Sequence, residues 1–315
     1  MIRFAQPQLA STLATALTLA CCAALQAAPV NKDSDAVYRP TGRGQGEIDE
    51  AATTARRASN GQAAVRPAVT NGISYHGGPV MTANTNVYYI WYGSWTAAQK
   101  TILTAFMQGL GGTPIFNTNT TYYNSAKTPV RNVVTLAGST SDNYSLGNAL
   151  SDANIKTIVS NAITGGWFPR DANGVYFVLT APDVRETSGF GSQYCGWHTH
   201  ASLGGVDIKY SFVGNAATIA PAGCGVKSPS PNGDGGVDAM ASVIFHELSE
   251  TVTDPDLNAW YDTSGNENGD KCAWTFGTLF PTSNGAQANV SFNSRNWKLQ
   301  QNWVNAGGGY CALSF

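Results

Sequence analysis

The residues with the clearest capacity for chemistry lie in the segment AMASVIFHELSETVTDPDLNAW, which covers 239–260. If 239–252 forms a helix, its pitch of about 3.6 residues per turn places His246 and Glu250 on one face, where a single metal ion can contact both. Glu247 follows the first ligand directly and can take a proton from a metal-bound water, as the Glu of the His-Glu-x-x-His helix does in zinc proteases. The segment predicts a zinc-dependent hydrolase of the peptidase type, with Glu247 as its catalytic base.

Glu250 stands where the His-Glu-x-x-His pattern has its second histidine. One imidazole and one carboxylate still form a mixture that zinc accepts, but the carboxylate shifts the preference towards harder ions. Zinc is therefore the expected cofactor. Calcium is the alternative, because the segment after the helix concentrates oxygen ligands: Asp254, Asp256, Asp262, Glu267 and Asp270.

Asp256 is the first candidate for a third metal ligand. It lies six residues after Glu250, which is the spacing of the third ligand in the metzincin pattern. In that pattern a glycine allows the chain to turn sharply after the helix, and here Thr253 takes its place, so Asp254-Pro255, which ends a helix, is the alternative site of the turn. No methionine follows Met240, so the Met-turn of that group is missing as well.

His198 and Glu267 are the other candidates for the third ligand. His198 lies with His200 in CGWHTH, directly after Cys195. We expect these two histidines to face opposite sides of an extended segment, so that only one of them coordinates, and His198 is preferred. Glu267 belongs to the acidic segment after the helix, and His76 in YHGGP is a more remote alternative.

The elements that must position these residues alternate between strand and helix. The expected order is strand 86–92, helix 96–110, strand 132–136, helix 152–163, buried strand 174–179, edge or half-exposed strand 206–213, a long loop at 220–236 and the motif helix. This order predicts an α+β fold, a mixed sheet packed on helices, that is zincin-like and in particular metzincin-like. Beyond Pro255, short apolar runs between turns predict a small C-terminal β and loop lobe.

The N-terminus predicts export. Arg3 precedes an apolar, uncharged run from 9 to 25, and small residues follow at 27 and 28, so 1–28 reads as a secretory signal peptide. Cys21 or Cys22 would carry a lipid in a lipoprotein signal, although Thr18 is unlike the aliphatic residue that such signals prefer. The polar segment 29–72 is expected to be a flexible leader or pro-segment, and 73–315 the globular domain.

Four cysteines remain after the signal peptide, an even number that suggests two disulfides in an exported chain. Four cysteines allow three pairings. We favour Cys195 with Cys224 and Cys272 with Cys311, because each pair brackets one loop-rich segment. Free or zinc-bound thiols are the alternative.

The composition excludes two classes of partner. Charged residues make up 12% of the chain and the formal net charge is -2, so no basic patch is available for nucleic acid. No stretch after the signal peptide has the ~18 continuous apolar residues that cross a bilayer. The expected protein is a monomer of the extracellular space, periplasm or cell wall, acting on an extracellular peptide or a cell-wall substrate.

Several blocks resemble the EXORDIUM or phosphate-induced protein family, in its microbial branch. They run from about Ser74 almost to Tyr261 and read YHGGPV, NVYYIWYGSWTAAQK, YSLG, VYFVLTAPDV, CGWH, and SPNGDGGVDAM leading into ETVTDP. The resemblance implies an exported protein, associated in plants with growth, and it implies no particular reaction. The block that contains Asn232, Asp234 and Asp238 is either a metal-binding loop or a helix cap, with Asp238 placed before the helix.

Two functions of different classes follow from these observations. The first is a secreted zinc peptidase in which His246, Glu250 and one of the three candidates hold the metal. The second is a non-enzymatic extracellular protein that binds calcium or a glycan. Its exposed aromatic residues would be among four tryptophans, at least half of which we expect in the core: Trp260, Trp274, Trp297 and Trp303.

Overall fold

The computed structural model describes residues 72–263 and 265–315. The predicted signal peptide, 1–28, lies outside this range, and so does the predicted leader, 29–72, except for Gly72. None of the helices in the described part of the chain combines the length and the apolar character that a membrane crossing requires.

The described residues form three α-helices: α1 (Ala97–Leu110), α2 (Asp152–Thr164) and α3 (Gly235–Thr253). Two 3-10 helices cover Phe116–Thr121 and Asp270–Cys272. The strands are β1 (Ser74–Tyr75), β2 (Thr85–Tyr92), β3 (Val134–Asp142), β4 (Ala149–Leu150), β5 (Gly174–Thr180), β6 (Arg185–Glu186), β7 (Gly196–Leu203), β8 (Val206–Gly214), β9 (Trp260–Tyr261), β10 (Phe280–Pro281), β11 (Gln287–Ala288), β12 (Val290–Phe292), β13 (Arg295–Trp297), β14 (Asn302–Val304) and β15 (Tyr310–Ala312).

Five of these strands form a mixed central sheet in the order β3-β2-β5-β8-β7. The first four are mutually parallel, and β7 pairs antiparallel with β8 at the edge. All seven residues of β5, GVYFVLT, are buried, as expected of a parallel strand that is covered on both faces. The mixed sheet packed on helices confirms the predicted α+β class.

The two faces of the sheet bury separate apolar clusters, because successive side chains of a strand point to opposite faces. In β2, Tyr89 and Trp91 pack in the cluster beneath α1 and α3, whereas Tyr88 packs in the cluster beneath α2. Ile244 and Leu248 of α3 are fully buried in the first cluster. The apolar face of α3 is thus fixed against the sheet, which also fixes its polar face.

The sequence predicts that the segment 206–213 is an edge or half-exposed strand, but in the structure it lies inside the sheet. That segment is β8, which pairs with β5 on one side and with β7 on the other. The edge strand is β7, which contains the CGWHTH motif. Residues two apart on a strand share a face, so His198 and His200 point to the same side, and the expectation that they face opposite sides is wrong.

Beyond α3 the chain forms three short antiparallel strand pairs, β10 with β11, β12 with β13 and β14 with β15. Two disulfides brace this region and the edge of the sheet. Cys195 is bonded to Cys224 and Cys272 to Cys311, with Cα atoms 5.6 Å apart in each pair. This is the pairing that the sequence favours. The first bond ties β7 to the loop before α3, and the second ties the 3-10 helix at 270–272 to β15.

The loop before α3 caps the helix. Oδ1 of Asp234 accepts a hydrogen bond from the backbone N–H of Val237 at 3.1 Å. Asp238 lies in the first turn, and its carboxylate accepts bonds from the backbone and side-chain N–H groups of Asn232. These bonds favour the capping alternative. The expectation that Asp238 precedes the helix is wrong, because α3 begins at Gly235.

We predict a measurable contribution from the cap of α1. The hydroxyl of Thr96 accepts from the N–H of Gln99, and the Gln99 side chain accepts from the N–H of Thr96. Thr96→Ala should lower the free energy of unfolding by about 1 kcal/mol in urea titrations followed by circular dichroism. Thr157→Ala is the matched control, since this exposed hydroxyl bonds a carbonyl within α2. Equal losses in the two variants would contradict the role of the cap.

Candidate metal centre

His246 and Glu250 lie on one face of α3, one turn apart. Nε2 of His246 is 3.0 Å from Oε1 of Glu250, and their side chains are 6% and 0% exposed. Behind the imidazole, Nε2 of Gln300 lies 2.7 Å from Nδ1 of His246 and 3.2 Å from the carbonyl oxygen of Gly269. The ring is therefore held with its Nε2 atom towards Glu250.

The edge strand β7 brings a second histidine to the same carboxylate. Nε2 of His198 lies 3.7 Å from Oε2 of Glu250 and 3.1 Å from Oε2 of Glu267, and none of the three side chains is more than 1% exposed. Glu267 comes from the segment that follows α3. Glu250 thus presents one carboxylate oxygen to His246 and the other to His198.

Glu247 completes the polar face of α3. It is fully buried, and neither of its carboxylate oxygens has a hydrogen-bond partner among the described residues. One ligand atom each from His246, Glu247 and Glu250 lie within 4.8 Å of one another. Glu247 and His246 line a small cavity of about 20 Å³, whose wall also includes Ser242 and Trp274.

The segment around Gly269 closes over the two α3 ligands. A Cβ atom at Gly269 would lie 2.9 Å from Oε1 of Glu250 and 3.0 Å from Cγ of His246, so the backbone passes directly over both side chains. The N–H of Asp270 donates to Oε1 of Glu250 at 3.0 Å, and Oδ1 of Asp270 lies 3.6 Å from Nε2 of His246.

Sequence reasoning misses the role of Gln300, which lies 54 residues from His246 and in no motif.

Burial and mutual repulsion govern the protonation of these groups. Burial, reinforced by the Asp270 carboxylate, raises the pKa of Glu250 to about 7. Burial raises the pKa of Glu267 well above its usual range, and the neighbouring carboxylates of Asp254 and Glu250 raise it further. The pKa of Glu247 is also raised well above its usual range, chiefly by burial. The site is therefore short of positive charge, which either protons or a metal cation can supply.

The two histidines respond differently to the same surroundings. Burial lowers the pKa of His198 to about 3, so this imidazole is neutral and able to act as a ligand. Burial alone would also lower the pKa of His246, but the carboxylates of Glu250 and Asp270 raise it well above its usual value. His246 therefore holds a positive charge unless a cation takes the place of its proton.

The residues present fit a divalent cation. Two ligands about 2.0–2.2 Å from one zinc ion are about 3.1–3.6 Å apart, which matches His198 with Glu267 and is close to His246 with Glu250. Oε2 of Glu250 is buried without a hydrogen-bond partner in the described part of the chain. Imidazole nitrogens with carboxylate oxygens form a donor set that zinc accepts.

Asp256 is not brought to this group. It lies with His200 and Asp207, its Oδ1 atom 3.8 Å from Nδ1 of His200. The reason is the turn after α3, where Oδ1 of Asp254 accepts hydrogen bonds from the backbone N–H groups of Asn258 and Ala259, both at 2.6 Å. The side chain of Asp254 makes the turn that a glycine makes in the metzincin pattern, and it directs Asp256 elsewhere.

The remaining candidates from the sequence lie apart from the centre. His76 is exposed and stacks on Tyr261 with ring centroids 3.7 Å apart. Three of the four tryptophans are in the core, as expected for at least half of them: Trp260, Trp297 and Trp303. Trp274 is partly buried and lines the cavity beside Glu247.

Comparison with known proteins gives a consistent result. The family model described as the Phosphate-induced protein 1 conserved region matches residues 73–296. Protein EXORDIUM-like 3 of Arabidopsis thaliana is 33% identical over 270 residues, which cover 73% of this chain and 80% of the relative. Protein EXORDIUM-like 5 of the same plant is 33% identical over 237 residues, covering 65% of each protein. Protein PHOSPHATE-INDUCED 1 of Nicotiana tabacum is 31% identical over 219 residues, covering 60% of this chain and 67% of the relative. No solved structure matches the chain.

Gly269 passes so close to the centre that a larger residue should not fit at this position. We expect Gly269→Ala to lower the free energy of unfolding by about 1–3 kcal/mol, because its Cβ would overlap Glu250 and His246. Chemical denaturation measures the loss. Gly72→Ala is the matched control, since its Cβ would meet mainly the flexible end of Lys271. A harmless Gly269→Ala would show that this segment does not pack as described.

The raised pKa values predict how stability depends on pH once a chelator has removed cations. Above pH 6.5, the ordinary pKa of histidine, His198 is neutral in both the folded and the unfolded chain. The raised pKa values of His246, Glu250 and Glu267 then give the folded state more bound protons than the unfolded state, so stability falls as pH rises.

Thermal unfolding of EDTA-treated protein should therefore show a melting temperature that declines from pH 6.5 upward, through the pKa of about 7 for Glu250. Added zinc is expected to remove this decline, because a bound cation replaces the protons. A melting temperature that rises over this range in EDTA would contradict the charge shortage of the site.

Proposed function

We propose a function for this chain, which belongs to the phosphate-induced protein 1 family together with its EXORDIUM-like relatives. In this proposal it is an exported, EXORDIUM-like metal-dependent hydrolase of the peptidase type. Its assignment to the microbial branch of the family is part of the same proposal. The observation that carries it is a pair of buried groups that share Glu250: one contains His246 and Glu247 of α3, and the other contains His198 and Glu267.

In this proposal His246 and Glu250 hold the cation, together with His198 and Glu267 from outside the helix. His246 lies 3.0 Å from one oxygen of Glu250, and His198 lies 3.7 Å from the other and 3.1 Å from Oε2 of Glu267, which supports ligands around Glu250 over a set that includes Asp256. When bound, the cation supplies Lewis acidity, which polarises a carbonyl and lowers the pKa of water. Zinc suits the set better than calcium, which takes about six to eight oxygen ligands.

Glu247 is the proposed general base. Its buried carboxylate has no hydrogen-bond partner in the described residues and lines the small cavity, so it can accept a proton from an attacking water. Gln300 is a positioning residue. Its Nε2 atom lies 2.7 Å from Nδ1 of His246 and donates to the carbonyl oxygen of Gly269 at 3.2 Å, so it holds the imidazole with Nε2 towards Glu250.

A route for substrate is available next to Glu247. The cavity beside it shares Ser242 and Trp274 with a larger cavity of about 270 Å³, which is lined by the loops before α3 and around 285–287. The two cavities therefore adjoin at these two residues. The peptidase type within the hydrolases rests on the similarity of His246 and Glu247 to the His-Glu-x-x-His helix of zinc proteases.

A zincin-like arrangement of helix and sheet is the finer structural part of the proposal. It is supported by the close packing of the motif helix on the antiparallel edge strand. At Gly196, the first residue of β7, a Cβ atom would lie 2.6 Å from Cγ1 of Val243 and 3.0 Å from Oε1 of Glu247. The edge strand therefore forms one wall of the space around Glu247.

One observation favours a second candidate, an extracellular protein in which the same metal is purely structural. The ligands His198, Glu250 and Glu267 are at most 1% exposed, as in metal sites that are closed to substrate. In that case the protein would contain the cation and hydrolyse nothing.

Glu247→Gln separates these functions. The variant should keep its metal and lose peptide hydrolysis by at least about 10²-fold, because an amide cannot accept the proton. Hydrolysis of a peptide library and elemental analysis of the same samples measure both properties. Asp183→Asn, the same chemical change at an exposed loop residue, is the control and should keep full activity. Undiminished hydrolysis by Glu247→Gln would refute the base, and metal without any hydrolysis in the wild type would favour the structural role.

A further inference from the structure

We propose that Glu250 bridges two divalent cations, one on each of its carboxylate oxygens. This inference rests on the proposed function and extends it from one metal position to two. Its starting point is that the two oxygens of Glu250 face different histidines, which come from different parts of the fold: His246 on α3 and His198 on β7.

The first position lies between the edge strand and the segment after α3. Nε2 of His198 lies 3.1 Å from Oε2 of Glu267 and 3.7 Å from Oε2 of Glu250, and one ligand atom of each residue lies within 4.8 Å of the others. Oε2 of Glu250 points into this position, is fully buried and has no hydrogen-bond partner among the described residues. An unsatisfied, buried carboxylate oxygen costs free energy that a cation offsets.

The second position lies on the other side of Glu250. Nε2 of His246 is 3.0 Å from Oε1 of Glu250 and 3.6 Å from Oδ1 of Asp270. Glu247 borders this position with two further buried oxygens that lack a hydrogen-bond partner in the described part of the chain. This geometry leaves the carboxylate of Glu247 next to the second cation and open to the cavity.

The number of ligands exceeds what one zinc ion uses. A zinc site that catalyses a reaction takes about three protein ligands and keeps one position open. The groups around Glu250 include two imidazoles and four carboxylates: His198, His246, Glu247, Glu250, Glu267 and Asp270. A carboxylate that is shared between cations about 3.5–4 Å apart accommodates this set, as in two-metal hydrolases.

The charges of the buried acidic side chains also indicate two cations. Five acidic side chains of this region are at most 1% exposed: Glu247, Glu250, Asp254, Glu267 and Asp270. When all five are ionised, one divalent cation compensates fewer than half of their negative charges, whereas two cations compensate four of the five. The fifth is accounted for by Asp254, whose Oδ1 atom accepts two backbone N–H bonds at 2.6 Å. Buried charges without compensation are strongly destabilising.

Metal stoichiometry tests the bridge. Protein dialysed against zinc chloride and then against metal-free buffer should contain about two zinc ions per chain by mass spectrometry of the elements. His198→Ala should retain about one, because it removes a ligand of the first position alone, and Glu250→Ala should lose both. His76→Ala, which changes an exposed histidine, is the control and should retain about two.

A second measurement on the unaltered protein guards against variants that fail to fold. Loaded with manganese, the wild-type chain should give the electron paramagnetic resonance spectrum of a spin-coupled pair. One zinc per chain with an uncoupled manganese spectrum would overturn the bridge and leave the proposed function intact. No bound zinc at all would overturn both proposals, and two zinc ions in His198→Ala would overturn the ligand assignment.

Discussion

The structure is organised around carboxylates that are kept out of water. Glu250 lies at the middle of this group, fully buried between the sheet, α3 and the segment after it. Ionised carboxylates in such a setting repel one another with little screening, so the surrounding elements must supply opposite charge and hydrogen-bond donors. The imidazoles of His198 and His246 and the backbone N–H of Asp270 meet part of this demand.

Three segments that are distant in sequence meet this requirement together. The edge strand β7 contributes His198, α3 contributes the acids and His246, and the chain beyond α3 contributes Glu267, Gly269 and Gln300. The C-terminal lobe is thus the cover of the polar face of α3. This explains why the helix can carry acids on a face that is as buried as its apolar one.

Local patterns in the sequence predict the parts of the site that depend on one element. His246 and Glu250 follow from helical spacing, and β2, β5 and the three helices follow from hydrophobic periodicity. The edge strand escapes prediction because CGWHTH lacks a strand-like apolar pattern. The position of Asp256 also escapes it, since the hydrogen bonds that Asp254 accepts from the N–H groups of Asn258 and Ala259 cannot be read from spacing. Gln300 meets His246 only through tertiary packing.

The disulfides have a consequence for metal selectivity. Cys195 lines the same cavity as Glu247, and Cys272 lies two residues after Asp270. As thiolates, both sulfurs would be soft competitors for any cation that entered, and they would favour zinc or copper(I) bound in the wrong geometry. In the disulfides with Cys224 and Cys311, these sulfur atoms are no longer thiolates that can bind a cation. Only nitrogen and oxygen donors then remain at the centre, so oxidation of the cysteines narrows the choice of ion before any ion arrives.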